Sequence, residues 1–90
     1  MLIEFDAVKN AKNLAKHGLS LEAVQEFEWD KAMLAQDTRK DYGETRIIAT
    51  GYIRTRLYVM IYTERGLAKR IISLRKANDK ERQNYERRCS

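Results

Sequence analysis

Three consecutive segments in the second half of the chain constrain its fold more than any other feature of the sequence. Arg46–Ile53, Leu57–Glu64 and Ala68–Leu74 show the period-two alternation and the β-branched and aromatic content of β-strands. The turns between them are short, and the second contains Gly66, so antiparallel hairpins are the natural connections. A sheet built from neighbouring strands is therefore predicted.

Strict alternation assigns each residue of these strands to one face of the sheet. In the third strand it predicts Arg70 on the same side as Leu74, and Ser73 with Arg75 on the opposite side. In the first two strands both faces are largely apolar.

Helical patterns precede the strands. Leu2–Phe5 predicts a short edge strand, and Ala7–His17 predicts a first helix that ends at Gly18 in the left-handed conformation. Ser20 is placed to cap a second helix, which is predicted to end near Glu28. Two N-terminal helices are therefore expected.

The rest of the chain completes an α+β fold. Ala32–Ala35 predicts a further strand, and Asp37–Gly43 reads as a polar loop rich in turn formers. Asn78 with Glu81 forms a capping box for a C-terminal helix over Asp79–Arg88. Separate helical and strand regions predict a twisted antiparallel sheet with the helices covering one face, in a single domain that spans residues 1–90.

Composition excludes several classes of protein. The hydrophobic content of 43% beside 34% charged residues is too apolar for a disordered chain, and no apolar run approaches the roughly 18 residues of a membrane span. The first residues lack the basic and apolar regions of a signal peptide, so a cytoplasmic protein without membrane contact is expected.

The positive charge is concentrated in the second half of the sequence. Residues 1–53 hold seven Lys/Arg and nine Asp/Glu, whereas residues 54–90 hold eleven and four, which leaves that half at +7. A basic segment attracts polyanions such as RNA, DNA or an acidic protein surface. Surface cations that maintain solubility are the alternative interpretation.

The sequence gives little indication of a metal site or of nucleophilic catalysis by cysteine or histidine. One histidine, His17, and one cysteine, Cys89, supply no ligand cluster, so no metal or other cofactor is expected. His17 also ends a helix, where an imidazolium meets the helix dipole favourably.

A set of cations and phenols on the sheet and last helix suits RNA cleavage, in which the 2′-hydroxyl attacks its own phosphate. Arginines match phosphate oxygens, aromatic rings stack on bases, and His17, Glu44 or Glu64 could accept the proton. The alternative is a solvated sheet edge and helix face with tyrosines filling the sheet. The set comprises Arg46, Tyr62, Arg65, Arg70, Arg75, Lys76 and Arg82.

Residues Leu14–Val24 have the spacing of a helix-turn-helix DNA reader, with Gly18 at the turn. The second helix of such a motif should carry cations, but this one presents Glu22, Glu26 and Glu28. Repulsion from phosphates argues against DNA recognition by these residues.

Several short blocks follow one another along nearly the whole chain. They are Phe5-Asp6 with Lys9, Asn13, Lys16-His17-Gly18, Ser20 and Glu22-Ala23; Gly43-Glu44-Thr45-Arg46; Tyr62-Thr63-Glu64-Arg65-Gly66; Arg70-Ile71-Ile72-Ser73 with Arg75-Lys76-Ala77; and Glu81-Arg82 with Tyr85. In this order they resemble the BrnT toxins, the ribonuclease members of bacterial BrnT-BrnA toxin-antitoxin pairs. One departure is Phe5, where the family commonly has a tryptophan, while Trp29 lies far downstream.

The resemblance implies a RelE-like fold and a metal-independent endoribonuclease that cleaves RNA and inhibits translation. It implies neutralisation by a BrnA-like antitoxin in a heterotetramer, with DNA contacted only through the antitoxin. Arginines and Lys76 would bind phosphate, Tyr62 would stack or transfer a proton, and His17 or Glu44 would act as base. The implied site residues are His17, Glu44, Arg46, Tyr62, Arg65, Arg70, Ser73, Arg75 and Lys76.

Two other functions fit the same basic surface. A non-catalytic binding module would use it to hold an acidic partner or nucleic acid, and a decayed toxin would retain only antitoxin binding. In an enzyme, Arg75→Ala or Lys76→Ala is expected to abolish toxicity while leaving the fold and partner binding largely intact. A binding module would instead lose affinity in proportion to the charge removed.

Overall fold

A computed structural model describes residues 2–18 and 20–89 of the chain. Its elements are β1 (Leu2–Phe5), α1 (Ala7–His17), the 3₁₀ helices η1 (Leu21–Glu26) and η2 (Trp29–Lys31), β2 (Met33–Gln36), β3 (Ile47–Ile53), β4 (Arg56–Arg65), β5 (Ala68–Lys76) and α2 (Asp79–Cys89). The α+β class and all predicted strands are confirmed, with ends that differ by no more than a few residues.

The strands form one sheet in the order β1-β5-β4-β3-β2. The pairs among β2, β3, β4 and β5 are antiparallel, and two-residue turns join β3 to β4 and β4 to β5, but β1 lies parallel to β5. The prediction of a wholly antiparallel sheet is therefore wrong at this edge. No hairpin joins β1 to β5, so tertiary packing sets their relative direction.

The hydrophobic core lies between η1 and the first face of the sheet, which we define as the face that carries Met60. Val24 and Phe27 pack there against Met60 and Leu74, all of which are buried. At Gly51 an added Cβ would lie 2.7 Å from Cζ of Phe27, so only glycine lets this ring approach the strand.

The predicted second N-terminal helix is present only as the short 3₁₀ helix η1, so two N-terminal α-helices are not confirmed. After η1 the backbone leaves helical geometry at Phe27, which bridges to Ile53. The N–H of Glu28 then donates to the carbonyl of Tyr52 at 3.0 Å. Pairing with β3 therefore ends the helix at Glu26.

The first and last helices form as predicted. Asp6 Oδ1 accepts the Val8 N–H at 2.8 Å, and Gly18 follows α1 with a φ of 68°. At α2, Asn78 and Glu81 make both hydrogen bonds of the capping box, at 2.8 and 2.9 Å. Among the described residues, no helix is long and apolar enough to cross a membrane.

Helices lie on both faces of the sheet, which corrects the expectation that they cover one. The ring of Tyr85 in α2 meets Tyr52 at 5.8 Å, and its hydroxyl donates to the carbonyl of Lys31 at 2.8 Å. Tyr52 points away from the Met60 face by strand alternation. Both faces of β3 and β4 are apolar because each one is partly covered.

A β-bulge in β5 corrects the predicted assignment of its side chains. Ile61 pairs with Ser73 but its neighbour Tyr62 pairs with Ile71, which leaves Ile72 as the extra residue. Beyond the bulge the alternation is shifted by one residue. Two residues three apart, Ile71 and Leu74, are consequently both 1% exposed on the first face.

Candidate functional site

The bulge brings three polar residues of β5 onto the second face of the sheet. Arg70 pairs with Thr63, Ser73 with Ile61 and Arg75 with Val59, and these β4 residues share one face. Regular alternation would have turned Arg70 away from the other two. The local irregularity of β5 therefore builds part of the site.

Residues from β3 and β4 extend this surface. Arg46 precedes β3, Arg65 ends β4, and Glu44 lies in the preceding loop and contacts both arginines. Strands lie about 4.8 Å apart and each residue advances about 3.3 Å, so the surface is elongated and spans roughly 13 Å from the Arg70 row to the Arg75 row. We call it the arginine face; it comprises Glu44, Arg46, Arg65, Arg70, Ser73 and Arg75.

Glu44 lies between two guanidinium groups. Its carboxylate oxygens lie 3.3 Å from Nε of Arg46 and 3.7 Å from Nη2 of Arg65. Arg46 also stacks over the Tyr42 ring, with Cζ 4.1 Å from the centroid. The Glu44 side chain keeps 29% of its surface exposed, so a substrate hydroxyl can reach the carboxylate.

Arg70 lies on β5, between the edge strand β1 and β4. Its Nη1 atom is 3.8 Å from Oε2 of Glu4 in β1, too far for a strong hydrogen bond. About 31% of its side chain is exposed. The guanidinium is therefore held on a rigid element while most of its donors remain available to an anion.

Arg75 has a strong internal partner. Its two terminal nitrogens donate to Glu81 at 2.7 Å each, which links the end of β5 to the first turn of α2. These hydrogen bonds raise the pKa of Arg75 and lower the pKa of Glu81. The same carboxylate caps α2 through Asn78, so Arg75 contributes to helix attachment as well as to the charge of the face.

A buried carboxylate fixes the loop that borders the arginine face. Asp37 is 5% exposed and accepts hydrogen bonds from Arg39 at 2.9 and 2.8 Å and from the Tyr42 hydroxyl at 3.1 Å. The Arg39 guanidinium holds the pKa of Asp37 well below its usual range. Sequence reasoning missed this cluster, whose signal was an Asp-x-Arg pair opening a turn-rich segment.

Two predicted site residues lie away from the arginine face, and a third cannot be placed relative to it. Tyr62 is 4% exposed on the first face, where Trp29 meets its ring edge-on at 5.4 Å. Lys76 ends β5 and lines a cleft of about 430 Å³ together with Arg82. His17 ends α1, and its side chain lies outside the described part of the structure.

Phe5, which stands where related sequences were expected to have tryptophan, packs against the first-face core and pairs with Ile71. Trp29 packs on that same face, with Lys69 Nζ 5.2 Å from its ring. The tryptophan later in the chain thus contributes an aromatic ring to the face that also carries Phe5.

A second cleft opens beside Glu44, at the end of the sheet where β2 stops and β3 begins. Its volume is about 620 Å³, which falls within the range of small-molecule sites. Leu34 and Ile47 give it apolar surface, and Gln36 and Glu64 add polar groups. Glu44 is shared by this cleft and the arginine face, although Leu34 and Ile47 lie on the first face of the sheet.

The arrangement suits a reaction at a phosphate. Guanidinium groups on a rigid sheet can neutralise charge that develops on phosphate oxygens, and a carboxylate between them can accept a proton. Among the described side chains, no three of the histidine, cysteine, aspartate or glutamate type come together as in a metal site.

Comparison with known proteins gives a family match. A family model described as "Ribonuclease toxin, BrnT, of type II toxin-antitoxin system" matches residues 5–81, which include every residue of the arginine face. No curated protein matches the sequence.

Proposed function

Because this chain belongs to the family of BrnT ribonuclease toxins of type II toxin-antitoxin systems, we propose that its arginine face is the site at which it cleaves RNA. The observation that carries the proposal is the bulge in β5, which turns Arg70, Ser73 and Arg75 to the same side as Arg46 and Arg65. Bulges beside active sites commonly redirect side chains in this way.

We propose a metal-independent endoribonuclease mechanism. The 2′-oxygen attacks the adjacent phosphorus, the bond from phosphorus to the 5′-oxygen breaks, and the products end in a 2′,3′-cyclic phosphate and a 5′-hydroxyl. Glu44 would accept the 2′ proton, while Arg65 and Arg70 would bind the phosphate oxygens as negative charge develops. The leaving 5′-oxygen would take its proton from solvent.

The remaining predicted residues have subsidiary roles in this proposal. The Ser73 hydroxyl would donate to the phosphate chain, because Ser73 lies between Arg70 and Arg75 on β5. Lys76 would bind a flanking phosphate beyond the end of β5. Because Tyr62 is buried, it would support the cleft from below and would not stack on an open base.

The cleft beside Glu44 offers a place for a nucleobase next to the reacting phosphate. Its apolar side chains, Leu34 and Ile47, would contact the face of the base, and Gln36 would hydrogen-bond its edge. Specificity for the base would therefore arise at the end of the sheet, within reach of Glu44.

Family membership also implies an antitoxin partner. We propose that this antitoxin is BrnA-like, that the complex is a heterotetramer, and that DNA is contacted only through the antitoxin. The toxin would be a RelE-like domain over residues 1–90 that acts in the cytoplasm and inhibits translation by cutting RNA.

A non-catalytic binding module is favoured by one observation. Arg46, Arg70 and Arg75 each have a carboxylate within 4 Å, so the face is less positive than its arginines alone suggest. An incoming phosphate must compete with Glu44, Glu4 and Glu81.

The two functions are separated by incubating the purified protein, free of antitoxin and with chelator present, with single-stranded RNA. An enzyme of the proposed kind produces fragments that carry 2′,3′-cyclic phosphate ends. Intact RNA bound by folded protein would support the binding module, and fragments that form only after metal is added would contradict metal independence.

A further inference from the structure

Helix α1 turns its apolar residues toward solvent, the reverse of what an amphipathic helix on a sheet usually does. Val8 is 63% exposed and Leu14 is 51% exposed. They share one side of the helix with three alanines, all of them exposed, and we call this side the α1 stripe. It comprises Ala7, Val8, Ala11, Leu14 and Ala15.

The opposite side of α1 is polar, yet it faces the rest of the protein. Asn10 and Asn13 are half-buried, and the Ser20 hydroxyl donates to Oδ1 of Asn10 at 3.2 Å, which ties the helix to the segment before η1. The orientation of α1 is therefore fixed by hydrogen bonding, and the α1 stripe remains outside the core.

The charged side chains within helix α1 have one sign. Helix α1 contains lysines and no acidic residue, and Lys12 and Lys16 are exposed along one flank of the stripe. A partner helix with apolar residues at matching spacing and carboxylates along one edge would complement both features. Anionic side chains beside Lys12 and Lys16 would set the register of the contact.

We propose that the α1 stripe is a docking site for an acidic amphipathic helix of the antitoxin. The proposal rests on the toxin-antitoxin part of the proposed function and is independent of catalysis. A second copy of this chain is a poorer occupant, because an antiparallel pair of α1 helices would bring their lysine flanks together and each chain carries a net charge of +5.

The α1 stripe lies away from the arginine face. Helix α1 packs beside η1, which covers the first face of the sheet, whereas the arginine face belongs to the second. A helix of 11 residues is about 16 Å long, too short to supply the ~800 Å² that each partner buries in a stable complex. The antitoxin would thus use α1 as one anchor and contact the toxin elsewhere as well.

The experiment measures the affinity of the purified cognate antitoxin for Leu14→Asp and for Leu67→Asp. Leu67 is 92% exposed in the β4–β5 turn, so the control makes the same chemical change away from α1. Leu14→Asp is expected to weaken binding about tenfold or more, whereas Leu67→Asp should bind like the parent. Lys12→Glu, an exposed substitution that leaves the apolar residues intact, should also weaken binding and decides the matter if Leu14→Asp fails to fold.

Equal affinity of Leu14→Asp, Lys12→Glu and the parent for the antitoxin would overturn the proposal. So would an effect of Leu14→Asp confined to self-association of the toxin or to its binding of anionic vesicles. RNA cleavage by the antitoxin-free variants is measured in parallel and should equal that of the parent. Absent cleavage in every protein, with Leu14→Asp still impaired in antitoxin binding, would refute the ribonuclease mechanism and leave the docking site standing.

Discussion

The carboxylates on the second face have two effects: they position the arginines, and they reduce the net positive charge of the face. Glu44 orients Arg46 and Arg65, and Glu81 binds Arg75 through two short hydrogen bonds. Arg75 is consequently a poor residue for testing catalysis alone, since its removal also loosens α2. Arg70, whose guanidinium lies 3.8 Å from the Glu4 carboxylate, is a better residue for testing catalysis separately from helix attachment.

Asp37→Asn is expected to reduce the dependence of the free energy of unfolding on pH in the acid range. The folded-state pKa of Asp37 lies below the value of about 3.9 in an unfolded chain. Its contribution is therefore complete above that pH and is lost as the pH falls toward the folded pKa. Urea unfolding between pH 7 and pH 3 should show the wild-type advantage over Asp37→Asn shrinking below about pH 4.

The exposed substitution Asp30→Asn is the control for Asp37→Asn, and its stability profile should follow that of the wild type. An advantage of wild type over Asp37→Asn that stays constant down to pH 3 would show that the Arg39 ion pair has no such effect.

Gly51→Ala is expected to destabilise the fold by about 1–3 kcal/mol, as an added methyl group in a packed core does. The new Cβ would lie 2.7 Å from Cζ of Phe27 and 3.3 Å from Cβ of Ala32. Thermal or urea unfolding measures the effect. Adding Phe27→Leu to Gly51→Ala should cost less than the sum of the two single changes, and strict additivity would mean that the ring is not the obstacle.

At the level of elements, the bulge in β5 distinguishes this strand from its neighbours. Deleting Ile72 removes the extra residue but leaves Ile71 and Leu74 on the core face, so the variant should remain folded. Deleting Ile61 from the regular strand β4 shifts every following side chain to the other face and should prevent folding. Circular dichroism with thermal melting checks both, and equal damage from the two deletions would contradict the assigned bulge.

Local patterns predicted the elements that depend on local interactions. Helix α1, the capping box of α2 and the antiparallel hairpins are set by caps, turns and alternation within a few residues. The 3₁₀ form of η1, the parallel pairing of β1 and the bulge at Ile72 depend on contacts with distant strands. Alternation within a single sequence contains no information about those contacts. The one indication of the bulge was that Ile71 and Leu74 are both apolar although they are three residues apart, a spacing that regular alternation assigns to opposite faces.

The candidate site was predicted less completely than the fold. The arginines and Glu44 were identified from charge and from family resemblance, but their common face depends on the bulge. Tyr62 was expected near the substrate because it is aromatic, and the structure shows that it fills the core. The Asp37–Arg39–Tyr42 cluster was missed because its members join only when the loop between β2 and β3 folds back.

For the whole molecule, the sheet separates two surfaces. The second face concentrates arginines in the way that a phosphate-directed reaction needs, while the first face is covered by η1 and α1, with the apolar stripe of α1 outermost. If the arginine face cleaves RNA and the α1 stripe anchors the antitoxin, as proposed, the two activities depend on different residues. Substitutions can therefore impair one without the other.

The most direct test of the central claim is the initial rate of single-stranded RNA cleavage by Arg70→Ala beside Arg88→Ala, with chelator present. The two variants lose the same charge, but Arg88 lies exposed on α2 outside the arginine face. We predict a loss of about 100-fold or more for Arg70→Ala and a rate close to wild type for Arg88→Ala. Equal rates in folded Arg70→Ala and wild-type protein would contradict the assignment of the arginine face as the site of cleavage.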